Sequence, residues 1–361
     1  MKWKTAVATA ALAAGLPAVA GAQGVGVFSV DVPAQADTRV AVPFANEPFG
    51  EFEVQSASGN TATLVGADFT GAFPLNSQGN ASYYVRFTTG DLAGRWFNIV
   101  GQGTDSVSLN VENTGVPADL SSVDPGDELV VIQHLTVEQV FPDNLEGLSF
   151  TPGNAFFPEQ SFQVILPRES DGPGTNVPAL TTAVFLNGEW KSAGQTADDF
   201  VIAPQATLIL RNPNPISTGN PDDPQTILDE SSGDLLFFAG GQDLTVVSRE
   251  GIAIESNLSD TVLGLGNTFP TTLGESNLDQ VIDPANVFFP EQSDQVLLFD
   301  EPTSGAGFNL PSSRTAVFNG TTNQFEINGE DASDEPIQAG DVVIIRKAGG
   351  TAGTFEFLPS E

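Results

Sequence analysis

Short apolar runs, dense in Val, Ile, Thr and Phe, recur roughly every 8 to 15 residues along this chain between polar turn clusters punctuated by glycine and proline. Runs of that length bounded by turn residues are the pattern of β-strands. No stretch sustains the i, i+3, i+4, i+7 apolar spacing of a long helix. Strands are expected at Glu51–Gln55, Ala62–Val65, Tyr83–Thr88, Trp96–Val100, Ser106–Val111 and Glu128–Gln133, then at Gln163–Leu166, Ala183–Leu186, Thr207–Arg211, Leu235–Phe238 and Leu244–Ser248. Five more follow at Gln295–Phe299, Thr315–Phe318, Phe325–Ile327, Val342–Arg346 and Thr354–Leu358, with short helical turns at Leu135–Val140 and Leu278–Val281. The expected class is all-β, with β-sandwich or barrel-like modules.

The pattern contains an internal duplication. Phe156-Phe157-Pro158-Glu159-Gln160-Ser161 returns unchanged as Phe288-Phe289-Pro290-Glu291-Gln292-Ser293, inside a longer match of Thr151–Leu166 with Asp283–Leu298 that has 11 identities in 16 positions. Further on, Thr182-Ala183-Val184-Phe185 answers Thr315-Ala316-Val317-Phe318, and Thr207–Arg211 answers Val342–Arg346. Two adjacent phenylalanines point to opposite faces of a strand, and the following proline removes a ladder donor, so the block reads as a strand, a corner and a second strand. Read as chemistry instead, it would make Glu159 and Glu291 paired carboxylates. A doubled fold has two such corners, whereas an active site rarely needs two copies.

The expected organisation is a leader over 1–22, an N-terminal β segment over 23–118, a first β repeat over 119–215, a Pro/Asp-rich linker over 216–234 and a second β repeat over 235–361. The second repeat carries about 17 extra residues around Asn257–Thr271, read as a loop.

Lys2 and Lys4 before an apolar, Ala-rich run and the small-x-small Ala20-Gly21-Ala22 form a secretory signal, which places the protein outside the cell, at the cell surface or in a periplasm. No later run is long enough to span a bilayer as a helix. The chain has 46 acidic against 12 basic side chains, a formal charge of −34, and no cysteine. Disulfides and thiolate metal sites are therefore excluded. Such self-repulsion is screened as the Debye length falls from about 10 Å at 0.1 M salt to about 3 Å at 1 M, which suits a saline, halophilic habitat as well as an ordinary acidic extracellular protein. Nucleic acid and anionic lipid are unsuited partners, because affinity for them comes from Lys and Arg.

Candidate chemistry is sparse. His134 is the one histidine, so multi-histidine metal sites are impossible and a Ser-His-Asp relay would rest on it alone. It follows a strand in an apolar stretch and reads as structural. Phosphate and dinucleotide loops are missing. Glycoside hydrolysis needs only two carboxylates, and nothing singles out a pair. Trp190, beside Asn187-Gly188-Glu189, is the one candidate ligand platform, against the ordinary reading of an aromatic as core. Calcium takes carboxylate and carbonyl oxygens, and the acidic loops holding Asp222, Asp223, Asp229, Asp234, Asp331 and Asp334 are its candidate ligands; solvated loops are the plainer reading.

The succession Tyr83–Gly90, Gly94–Ile99, Ser106–Leu109, Val123–Leu129 and Leu135–Pro142 resembles an uncharacterised family of secreted, paralogous, β-rich bacterial proteins. Leu135 departs from its pattern, which has an aromatic there. The resemblance implies secretion and a β fold and carries no activity. The expectation is a secreted, non-catalytic structural or interaction protein of the cell surface or extracellular matrix, partnered by other copies of itself or by surface and matrix components. The alternative is an extracellular carbohydrate-binding or carbohydrate-active protein.

Overall fold

β-Branched and aromatic residues at alternate positions favour extended backbone with one buried face, and they form 28 strands among the described residues. The computed structural model describes residues 27–33, 35–42, 44–76, 79–111, 120–141, 161–167, 179–186, 189–204, 206–213, 234–238, 244–246, 250–254, 260–264, 271–285, 292–300, 307, 311–338, 340–348 and 353–357. The expected leader, most of the expected linker and both Phe-Phe-Pro-Glu-Gln corners lie outside these, save exposed Gln292; the serines that follow the corners, Ser161 and Ser293, are buried.

The chain opens with β1 (Val27–Asp31), β2 (Ala36–Ala41) and β3 (Phe44–Asn46). Next come β4 (Pro48–Ser58), β5 (Thr61–Leu64), β6 (Tyr83–Phe87), β7 (Trp96–Gln102), β8 (Ser106–Asn110) and β9 (Glu128–Gln133). These six close into a barrel in the order β4-β5-β8-β7-β6-β9. Phe69, Phe87, Phe97, Val54, Leu109 and Leu129 fill its interior. Closure removes the free edges that an open sheet would present.

After the barrel, β10 (Leu135–Thr136) runs into a single helical turn, α1 (Val137–Val140). Thr136 caps it, its hydroxyl accepting from the Gln139 N–H while the Gln139 side chain accepts from the Thr136 N–H. There follow β11 (Gln163–Pro167), β12 (Ala179–Leu186), β13 (Glu189–Ser192), β14 (Gln195–Thr196), β15 (Val201–Ile202), β16 (Thr207–Asn212) and β17 (Asp234–Phe238). One sheet has the order β14-β13-β12-β11-β16-β2. The β10–β15 pair and α1 supply Leu135, Val137, Val140 and Ile202 to a core shared with Val164, Leu166, Phe185, Leu208 and Leu210 of that sheet.

A third set begins with β18 (Leu244–Val246), which pairs with β3, and β19 (Glu250–Ile254), β20 (Asp260–Gly264) and β21 (Thr271–Thr272). Two 3-10 turns, Leu273–Glu275 and Leu278–Gln280, precede β22 (Gln295–Leu298), β23 (Arg314–Asn319), β24 (Gln324–Ile327), β25 (Glu330–Asp331), β26 (Pro336–Ile337), β27 (Val342–Arg346) and β28 (Gly353–Phe357). Their sheet runs β20-β27-β22-β23-β24-β25, the first sheet repeated strand for strand.

The equivalence reaches into details. First and last strands of each repeat pair, β1 with β17 and β19 with β28. Thr136 before α1 has φ −117° and ψ 163°, and Thr272 before its 3-10 turn has φ −119° and ψ 164°. Asp37 of β2 stands opposite Arg211 of β16, as Asp260 of β20 stands opposite Arg346 of β27.

These pairings redraw the expected boundaries. The first repeat begins at β1, well ahead of residue 119, and the barrel is inserted within it between β3 and β10. Glu128–Gln133, expected to open that repeat, closes the barrel as β9. The stretch Asn257–Thr271 was expected as a loop peculiar to the second copy. It holds β20, the counterpart of β2, which the barrel insertion had separated from its own repeat in sequence.

The two repeats meet through their equivalent edge strands. Ala41 N–H donates to the Gly340 carbonyl at 2.9 Å, Gly307 N–H donates to the Gln35 carbonyl at 2.9 Å, and the Arg39 guanidinium lies 4.3 Å from the Phe299 ring centroid. Burial holds Arg39 below its usual value, against the opposing charge of Asp37.

Candidate functional site

The outer wall of the barrel carries an aromatic seam against the first repeat. Strand alternation turns Val85, Phe97, Leu129 and Val131 inward, so Tyr84, Trp96, Val130 and Ile132 face out, where Ala45 and Ala203 cover them. His134 follows β9 at the centre of this seam. Its ring stacks on Tyr84 with centroids 4.7 Å apart and meets Trp96 edge-on at 6.2 Å. Nε2 lies 2.7 Å from Asn98 Oδ1, and because an amide oxygen accepts, the ring proton sits on Nε2. Asn46 donates to the carbonyls of Gln133 and His134, at 3.0 and 3.1 Å, and ties β3 to the same point.

Burial pushes His134 down to about 3. An imidazole with so low a value binds almost no protons near neutrality and is a poor general base. The ring packs among barrel side chains, and the backbone carbonyl of the same residue takes the tie from Asn46 of β3.

Trp190 is fully buried, and its indole N–H donates to the Phe141 carbonyl at 2.7 Å. It stands opposite Phe185 in the first repeat, as Phe325 stands opposite Phe318 in the second. A ligand platform needs an exposed ring face, and this ring has none. The platform expected there is overturned by a core position present in both copies.

Asp331 and Asp334 are exposed. Asp331 is engaged locally, accepting from Gln324 Nε2 at 2.8 Å and from the Ser333 N–H at 2.9 Å. Asp222, Asp223 and Asp229 lie outside the described residues, and Asp234 is described only as the first backbone position of β17, opposite Asp31. Among the described residues no three histidine, cysteine or acidic side chains are grouped to hold a metal ion, and no helix is long and apolar enough to cross a membrane.

The exposed aromatic surface lies elsewhere, at one end of the barrel. The ladder of β4 to β9 shifts register between Pro48 and Gly50, which leaves Phe49 as the unpaired residue of a β-bulge, 53% exposed. A bulge re-aims one side chain without ending the strand. Phe49 packs edge-on against Phe73 at 5.4 Å and Tyr83 at 6.3 Å, and Phe73 touches the core ring Phe69 at 4.9 Å. A file of rings thus runs from the barrel interior to solvent, with exposed Leu75 on the same β5–β6 connection as Phe73. Phenylalanine lacks the polar rim that suits Trp and Tyr to a wet surface, so its rings are ordinarily core. The available signal was Pro48-Phe49-Gly50, a large ring between a residue that cannot donate to the ladder and one that eases a bulge.

Comparison with protein-family models, with curated proteins and with solved structures gives no match.

Proposed function

We propose that the protein is a secreted, non-catalytic structural or interaction protein of the cell surface or extracellular matrix, partnered by copies of itself and by surface or matrix components. The observation that supports this reading is the repeated architecture: two copies of one six-stranded sheet, the first interrupted in sequence by a closed barrel. Such a chain invests its length in packed scaffold. The leader at the N-terminus and the charge of −34 suit an extracellular, saline setting.

Electron microscopy and light scattering of the purified mature protein test the reading, with ordered assemblies or capture of matrix polymers as the expected result. Release of sugar from any polysaccharide in a reducing-sugar assay would sink it. Assembly by strand exchange would have to displace β1 from β17, its partner within the chain. Calcium, assigned to the acidic loops, should raise the melting temperature at millimolar concentration, and an unchanged melt removes that assignment.

A second reading, polysaccharide binding, is favoured by Phe49 and Tyr83. Flat rings at a wet surface stack on the apolar faces of sugars. A glycan array with the native chain and Phe49→Ala decides: binding lost in the variant supports this reading, and binding unaffected by it moves the site elsewhere.

A further inference from the structure

At one end of the second repeat's sheet, Gln295 of β22 stands opposite Arg346 of β27, so the next antiparallel pair is Asp294 and Lys347. Each of these side chains is only 2% exposed. Lys347 is one of two lysines beyond the leader, and the other, Lys191, pairs with Glu189 at the surface. The Lys347 ammonium is in direct contact with Asp294 Oδ2 and donates to the Val281 carbonyl at 2.7 Å. Asp294 Oδ1 accepts from the Ala348 N–H at 2.8 Å, and Oδ2 accepts from the Asp283 N–H at 2.9 Å. The Asp283 carboxylate, 65% exposed, reaches within 3.8 Å of the Lys347 nitrogen. Buried Val281 and Ile282 adjoin the site on the Asp283 side. The first repeat has nothing of this kind: the equivalent positions are Phe162 and Asn212.

We propose that Lys347 and Asp294 condense into an intramolecular amide, a cross-link between β22 and β27. Burying two charges costs desolvation that their mutual attraction repays only in part, and a neutral amide removes both charges. Reacting groups held in contact behave as if present at about 10⁵ M or more, which favours condensation over hydrolysis where water is excluded.

The step balances without a co-reactant. One proton passes from the ammonium to the Asp294 carboxylate, leaving a neutral amine and a carboxylic acid. The nitrogen lone pair attacks Cγ, and the Ala348 N–H faces the oxyanion that develops on Oδ1. The attacking nitrogen loses one proton to the Asp283 carboxylate, which returns it to the departing Oδ2 hydroxyl. The Nζ–Cγ bond forms, the Cγ–Oδ2 bond breaks and one water leaves. Nothing is oxidised or reduced.

This inference is independent of the proposed function. Intact-mass analysis of the mature full-length chain, followed by proteolysis and peptide mapping, tests it. The expected result is a mass one water below that of the sequence and a branched peptide joining the segments that hold Asp294 and Lys347, persisting in hot denaturant. Recovery of both segments as separate linear peptides, at full mass, overturns the proposal. Asp283→Asn keeps the buried pair and removes the proton carrier, so a folded variant should show at least a tenfold slower appearance of the branched peptide. Cross-linking at the native rate in that variant would overturn the role of Asp283.

Discussion

Phe49 and Val100 are exposed for the same reason: each is the extra residue of a β-bulge, at the register shifts between Pro48 and Gly50 and between Ile99 and Gly101. Their hydrophobicity says core, and the backbone overrules it. Phe49→Ser should therefore change stability by less than about 1 kcal/mol, whereas Phe69→Ala, in the filled barrel, should cost about 3–5 kcal/mol, both read from urea unfolding. Trp190 sets the opposite case, a residue singled out in the sequence by its place beside Asn187-Gly188-Glu189 and placed by the fold in a repeated core. Trp190→Phe should be tolerated better than Trp190→Ala because the second repeat already uses Phe325 there. His134 was legible as structural from its apolar flanks, but its partners were not, since Asn98 and Trp96 come from another strand. Its folded value, about 3, lies below the ordinary 6.5. The unfolded chain therefore binds the proton first as pH falls, and the stability from a neutral ring is complete above 6.5 and lost toward 3. At about 1.4 kcal/mol per pH unit, the native chain should lose about 2 kcal/mol relative to His134→Gln between pH 6.5 and 5, measured by urea midpoints.

At the scale of elements, strands were readable where an apolar run stood between turn residues, and lost where pairing was remote. Glu128–Gln133 and Val342–Arg346 are found at the expected bounds. β2 and β20 match these in length, but each carries polar Asp-Thr at or beside its first residue in place of an apolar run, and the partner that makes β2 a strand, β16, lies on the far side of the barrel in sequence. A trace was present: Asp37-Thr38 and Asp260-Thr261 are the same two residues at the same register. In the first repeat Arg211 Nε and Nη2 each donate to an Asp37 oxygen at 2.8 Å, a bidentate pair across the β2–β16 ladder that holds Arg211 above its usual value, chiefly through the side-chain hydrogen bond. Asp37→Ala leaves that guanidinium without its fork and should cost about 3 kcal/mol by thermal or urea unfolding, at the low end for a buried pair because Arg211 is partly solvated.

Over the whole molecule, the all-β class and the duplication could be read from periodicity and repetition, but the nesting could not, because insertion hides a repeat's first strand behind another domain. The barrel begins and ends side by side, Pro48 pairing with Ile132, so it can be removed with little strain. Replacing residues 47–133 by the short β20–β21 connection, 265–270, should leave a chain that still folds cooperatively, checked by circular dichroism and a single melting transition. The charge of −34 predicts a melting temperature that rises between 0.1 M and 1 M sodium chloride, as screening relieves self-repulsion.

In each repeat the first residue of the opening strand is paired with the last residue of the closing strand, Val27 with Phe238 and Glu250 with Phe357. Tension applied along the chain would therefore pull both strands of a pair from the same end. Such ladders yield one hydrogen bond at a time and do not resist in shear, so each repeat is a soft link that opens at low force. An amide between Asp294 and Lys347 would turn the second link into a limited spring, since everything between those two residues would stay folded while the strands outside them paid out.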